Sequence, residues 1–273
     1  MRTSRRRFLL RAAAALPALL LVACRRGGGE PEPDVPVIAN GTVVTPAAPP
    51  ATPSPTPAPS RPPAPTAVPT PTPTPLGSTL DPDDLRGFLY PVAGGCLPGY
   101  DGLMPNAPRA YRNGVHEGID WYPGLACAAI ERGTLVYAMY DGLVLRADHR
   151  YADITPDQVV ELAALTQAQG YSDPETLDIY RGRQVWVDHG RGIVTRYAHL
   201  EGVAPGIFYG REVRRGELLG FIGESGTPEF VTAPGTEVHL HAEVRVGESF
   251  LGAGLPPGEV RALYERLFGP PAE

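Results

Sequence analysis

The sequence predicts a mainly β fold with antiparallel sheets, one inserted helical segment and one helix near the C-terminal end. Three observations carry that prediction. Beyond residue 133, short runs rich in Val, Ile, Thr and Tyr alternate apolar with polar residues, the period-two pattern of half-buried strands. Glycines and an Asp141-Gly142 turn break these runs at short intervals. Only two segments depart from the rhythm, and both carry helix signals.

Taken in order, strands are expected at 134–138, 143–147, 184–188, 192–197, 217–222 and 237–246. Between the second and third of these, Thr155 is a helix N-cap residue, Pro156 suits the first helical position and Gln158 completes a capping box. A helix over 155–168 follows. Over 257–268, Val260, Leu263, Tyr264, Leu267 and Phe268 form one apolar stripe, the face of a helix that docks on the sheet.

The first quarter of the chain reads differently. Residues 31–75 hold 17 prolines and no aromatic residue. Such a stretch cannot bury enough apolar surface to offset the cost of ordering its backbone, so 31–76 reads as a Pro/Thr-rich linker. Extended as polyproline II, some 45 residues at about 3.1 Å each span on the order of 140 Å. The repeated Thr-Pro also fits an O-glycosylated stalk. Residues 77–273 carry both Trp and all 12 Tyr and are long enough for one folded domain.

Upstream, Arg5, Arg6 and Arg7 precede an apolar run at 12–23, short for a membrane span but suited to a signal-peptide core, which makes 1–23 a signal peptide. The stretch from Ser4 to Leu9 resembles a twin-arginine export motif, with the general secretion route as the alternative. Leu21-Val22-Ala23-Cys24 resembles a bacterial lipobox, which implies lipidation of Cys24 and an anchored N-terminus over 24–30. The expected location is outside the cytoplasm, on the membrane and facing the cell wall.

Net charge narrows the partners. The formal charge is −6, and residues 1–23 hold five Arg and no acid, so the mature chain is more acidic still. That argues against nucleic acid and against a basic grip on anionic lipid or wall polymer. All 24 basic residues are Arg, for which we have no physical account. Cys96 and Cys127 are the cysteines left in the folded part. Outside the cytoplasm such a pair suggests a disulfide, with buried free thiols or a reactive Cys as alternatives. A monomer is expected.

Three clusters among the six His carry the chemistry: His116-Glu-Gly-Ile-Asp120, Tyr197-Ala-His199-Leu200 and His239-Leu-His241. A lone His is a weak signal. On a strand, however, residues two apart share a face, so His239 and His241 address one locus while Leu240 turns away. Two neutral imidazoles and a carboxylate match what zinc prefers, with a fourth position left for water.

At these residues the sequence resembles the LytM/lysostaphin family of zinc metalloendopeptidases, with its H-x-x-x-D, Y-x-H-L and H-L-H motifs in that order and an acid, here Glu243, two residues after the last. The resemblance covers about residues 90–246 and takes in Asp188-His-Gly-Arg-Gly192 and Arg215-Gly-Glu-Leu-Leu-Gly220. It implies a fold of the duplicated hybrid motif kind. It also implies that His116, Asp120 and His241 bind Zn²⁺ while His199 and His239 stand beside the bound water without ligating. In that scheme the two free imidazoles move the water's proton to the leaving amine. The implied substrate is peptidoglycan and the implied reaction is hydrolysis of its peptide cross-links.

Other residues are read around that core. Glu243 either orients a ligand imidazole or is a solvated surface acid. His189 matches a position that is not a ligand and is read as structural, and His149 as surface. Tyr111 is read as a core residue, with a substrate or oxyanion contact as the alternative. The family's F-G-x-R turn is missing before His116, where 94–113 is instead long, Pro-rich and Cys-bearing. Residues 149–183 form an insertion, expected either to line or cover one wall of the substrate groove or to be a peripheral decoration. The stretch 227–236 is long, and Ala242 stands where an aromatic is usual.

Two other functions compete. A non-catalytic wall-binding or amidase-activating module on the same fold usually loses one of the five motif residues, and all five are kept here. A zinc store would have no use for two imidazoles that do not ligate.

Overall fold

A computed structural model describes residues 80–270 of the chain. The signal peptide at 1–23, the lipidation site Cys24 and the linker at 31–76 lie outside the described residues. Twelve strands are described: β1 (Pro108–Arg109), β2 (Gly114–Val115), β3 (Ile119–Trp121), β4 (Leu135–Tyr137), β5 (Gly142–Ala147), β6 (Val185–Asp188), β7 (Ile193–Ala198), β8 (Leu200–Val203), β9 (Glu212–Val213), β10 (Leu218–Ile222), β11 (Leu240–Val246) and β12 (Ser249–Phe250). Four α-helices accompany them: α1 (Pro156–Gln169), α2 (Pro174–Tyr180), α3 (Pro228–Thr232) and α4 (Pro257–Leu267).

The larger sheet runs β12-β11-β7-β6-β5-β9, with β3 also pairing β11. A three-stranded sheet runs β4-β10-β8, and β1 pairs β2. Every pairing is antiparallel, as the alternation predicts. Side chains such as Trp121, Tyr197, Leu219, Ile222 and Leu240 fill one contiguous core. Its burial of apolar surface is the main force holding the fold.

The helices show which local signals suffice. Around the start of α1 the capping box forms as read: Gln158 N donates to Thr155 Oγ1 (3.3 Å) and Thr155 N to Gln158 Oε1 (3.0 Å). The helix ends on Gly170 in the left-handed region, φ 77°. Only Thr166 of α1 is buried, so its caps matter more than its packing. In contrast α4 buries Val260, Tyr264 and Leu267, the expected stripe, and Phe268 stacks on Tyr90 with ring centroids 4.2 Å apart. No helix among the described residues is long and apolar enough to cross a membrane.

Cys96 and Cys127 form a disulfide, with Cα atoms 5.5 Å apart and 31 residues of separation. The closed loop carries β1, β2 and β3. Cross-linking a loop of that length restricts the unfolded chain by about 3–4 kcal/mol. Replacing both cysteines by Ser is expected to lower unfolding stability by about that amount in urea titrations. An unchanged midpoint would refute this.

Candidate metal centre

The centre is assembled by strand register. Antiparallel pairing of β3 with β11 sets Asp120 opposite His241 and Trp121 opposite Leu240. On the other edge of β11, β7 places Ala198 opposite His241, so that His199 follows immediately at the β7–β8 junction. The expected strand over 237–246 begins at Leu240, and His239 keeps only an isolated bridge to Gly223. Its ring still reaches the same locus as His241. Gly118 makes the close approach possible: a Cβ there would lie 2.4 Å from Ala242 O and 2.9 Å from His241 Cε1.

Three ligand atoms face one another. His116 Nε2 lies 3.0 Å from His241 Nδ1 and 3.0 Å from Asp120 Oδ1, and His241 Nδ1 lies 2.8 Å from Asp120 Oδ1. A point about 2.1 Å from all three, the bond length of zinc to nitrogen and carboxylate oxygen, sits about 1.2 Å off their plane. The donor set, two imidazoles and one carboxylate, therefore fits zinc with a position to spare. These three residues are all buried and are the one group of metal-binding spacing among the described residues.

Each imidazole is oriented from behind by an oxygen. His116 Nδ1 donates to Met104 O (3.1 Å), which leaves Nε2 as the lone pair facing the centre. His241 Nε2 faces Glu243 Oε1 at 3.1 Å, which leaves Nδ1. His199 Nδ1 donates to Ser225 O (2.9 Å) and His239 Nδ1 to Glu237 O (2.7 Å). Both therefore turn Nε2 inward. The rings of His199 and His239 lie 4.5 Å apart, and Tyr122 stacks on His239 at 4.2 Å. His239 Nε2 is 3.8 Å from Asp120 Oδ1, beside the ligand triangle. His199 has φ 57°, a left-handed conformation uncommon for a non-glycine residue.

Charges in the site follow burial first. Burial pushes the His199 imidazole well below its ordinary value, with His239 and His241 adding to the effect. Burial also lowers His239 and His116, against the pull of Asp120. Burial opposes ionisation of Asp120, yet His116 and His241 together hold its carboxyl well below the usual range.

Glu243 settles the alternative left open by the sequence: it is fully buried, not solvated. Besides His241 it meets Arg181 Nε (2.6 Å) and Arg245 Nη1 (3.2 Å). His189 is buried between Asp141 O (2.7 Å) and Thr195 Oγ1 (2.9 Å), apart from the His116, Asp120 and His241 group. His149 is exposed, as read. Tyr111 is not a core residue: it is 74% exposed and lines the groove, because the β1–β2 turn carries it outward.

The centre forms the floor of a groove of about 660 Å³. One wall comes from the insertion, through Val159, Ala163 and Leu177 among others. The long stretch 227–236 supplies Thr227, Pro228 and Glu229 at the start of α3. Sequence reasoning missed α3 and the buried Glu224 carboxylate, which holds that loop by accepting from Gly235 N at 2.8 Å.

A model of Peptidase family M23 matches residues 114–252, a span that includes all five motif residues. The chain belongs to Peptidase family M23. This bears out the LytM/lysostaphin-type resemblance and the mainly β fold read from the sequence. Among solved structures, a zinc-containing peptidase from Vibrio cholerae is 24% identical, with 63% of this chain and 41% of that one covered and a TM-score of 0.40. The catalytic domain of the antimicrobial peptidase lysostaphin from Staphylococcus simulans is 18% identical, with coverages of 60% and 90% and a TM-score of 0.35. The catalytic domain of the prophage-encoded M23 protein EnpA from Enterococcus faecalis is 20% identical, with coverages of 62% and 94% and a TM-score of 0.37. The protein thus spans less than half the length of the Vibrio cholerae chain. No curated protein matches it in sequence.

Proposed function

We propose that this M23 family member is a zinc endopeptidase that hydrolyses peptide cross-links of bacterial peptidoglycan, exported and held at the membrane by a lipidated Cys24. The observation that carries the proposal is the meeting of His116, Asp120 and His241 at zinc-binding spacing on the floor of a groove, with two further imidazoles beside them. Those three residues would hold the metal. Zinc bound there supplies a Lewis acid that brings the pKa of water towards neutrality and polarises a carbonyl.

The chain's own residues supply the proton chemistry. His199 and His239 are neutral at working pH because burial disfavours their charged forms, so each offers an unprotonated Nε2. Nε2 can take a proton from attacking water and return it to the departing amine, while Nδ1 of each ring stays fixed on a backbone oxygen. The stack of Tyr122 holds the His239 ring in plane, and the hydrogen bond from Tyr122 Oη to Glu237 holds Tyr122. The groove leaves room for a peptide segment.

Peptidoglycan as substrate is supported by the family, by the lipobox-like run that ends at Cys24 and by a Pro/Thr-rich stretch that, read as an extended linker, would carry the domain towards the wall. On sacculus zymograms His199→Ala is expected to lose clearing by roughly 10²–10⁴-fold in rate, the usual contribution of a general acid–base group. Equal clearing by wild type and variant would end the peptidase reading. Cys24→Ser is expected to move the protein from the membrane fraction to the soluble extracytoplasmic fraction, and unchanged partitioning would end the lipoprotein reading.

A further inference from the structure

We infer that the end of the insertion, Arg181-Gly182-Arg183, positions both His241 and His199, with Arg181 acting on His241 through Glu243. The inference rests on the proposed role of His241 as a zinc ligand, and it makes the insertion part of the centre as well as a wall of its groove.

The side-chain half of the argument concerns the two oxygens of Glu243. Oε1 accepts from Arg181 Nε at 2.6 Å and faces His241 Nε2 at 3.1 Å. Oε2 faces Arg245 Nη1 at 3.2 Å and Arg196 Nη1 at 3.6 Å. Glu117 closes the cluster, accepting from Arg181 Nη2 (2.8 Å) and Arg245 Nη1 (2.7 Å). Arg181 is therefore the cation that fixes the oxygen serving the imidazole. Without it, both remaining cations draw the carboxylate by its other oxygen, and His241 loses the acceptor that keeps Nδ1 as the metal-facing lone pair. An ordinary structural ion pair would not place one oxygen between a guanidinium and a ligand ring.

The main-chain half concerns His199. Arg181 O accepts from His199 N at 2.8 Å, and Arg183 O accepts from Leu200 N at 3.1 Å. Arg183 N donates to Ser225 Oγ at 2.9 Å, and Ser225 O in turn takes the Nδ1 proton of His199. Gly182, with φ +67°, permits the contact: a Cβ there would lie 2.2 Å from Ser225 O. These bonds hold His199 in its left-handed conformation, so one short segment helps set two imidazoles whose ring centroids lie 5.8 Å apart.

The test uses the full chain and the variants Arg181→Gln, Arg181→Lys and Gly182→Ala. Zinc affinity is read by competition with a chromophoric chelator. The imidazole N–H resonances of His241 and His199 are read by NMR in the metal-free protein. Arg181→Gln is expected to weaken zinc about 10–100-fold, with partial recovery in Arg181→Lys. It should also shift the Nε2–H resonance of His241, whereas Gly182→Ala shifts the Nδ1–H resonance of His199. Val260→Ala, a core substitution in α4, should lower the melting temperature with zinc affinity unchanged, which separates positioning from general destabilisation. Wild-type zinc affinity and unmoved resonances in Arg181→Gln would overturn the inference. A wild-type protein that binds no zinc would instead overturn the proposed metal centre, while the shifted His241 resonance would still uphold the positioning role.

Discussion

Asp120→Ala is expected to abolish peptidoglycan clearing and to weaken zinc by more than the roughly 10–100-fold usual for losing an outer partner of a ligand. Asp120 brings the only negative charge among the three proposed ligands, and its Oδ1 lies within 3.0 Å of His116 Nε2 and His241 Nδ1. Without it two buried imidazoles face each other at 3.0 Å with no anion between them. Arg109 Nη2, which donates to Asp120 Oδ2 at 3.3 Å, is left beside them without its carboxylate. Asp120→Asn keeps the shape and removes the charge, so it separates electrostatics from packing. Calorimetric titration with zinc and sacculus zymography read the two losses. Wild-type affinity in Asp120→Ala would rule out the ligand set.

The second large effect is on pH. In the metal-free protein burial disfavours charge on His241, yet the hydrogen bonds to Asp120 and Glu243 outweigh it and push the imidazole up to about 9. A proton then competes with zinc for Nδ1. Below pH 9 apparent zinc affinity should rise about tenfold per pH unit and level off above it, with one proton released per zinc bound. The stability of the metal-free protein should move the other way. The folded-state value lies above the unfolded value of about 6.5, so the stabilisation, on the order of 3 kcal/mol, is complete below pH 6.5 and lost as pH rises through 9. Melting temperatures with and without zinc at pH 6, 7.5 and 9 should therefore diverge. Zinc affinity that is flat with pH would contradict the ion-paired His241.

Local signals were legible where the determinant lies in a few adjacent residues. The capping box at Thr155, the stripe on α4 and the shared face of His239 and His241 are of this kind. α2 and α3 carry a similar start, Asp173-Pro174 and Thr227-Pro228, but at seven and five residues they are too short to show a helical period. The position of Tyr111 was misread because an aromatic residue suggests a core, and only the course of the β1–β2 turn shows that it faces solvent.

Glu243 shows a different limit. Its strand parity placed it near His241, but its burial depends on Arg181, 62 residues away in a segment outside the family's pattern. Arg245, two residues on, can be read as a partner for the carboxylate, but Arg181, which meets the oxygen facing His241, cannot. The same holds for the disulfide, where residue types suggested a pair but only the fold shows the two Cα atoms brought to 5.5 Å.

The close approach at Gly118 has a consequence for how this centre can change. A single methyl group at that position would carry no charge and touch no substrate, yet it would collide with a backbone carbonyl and an imidazole carbon at once. Relief would require the two neighbouring chain segments to part, and the two ligands that face each other across them would part as well. What the position contributes is the lack of a side chain where its neighbours already fill the space, so drift there is barred by volume alone, however conservative the replacement is in polarity or charge.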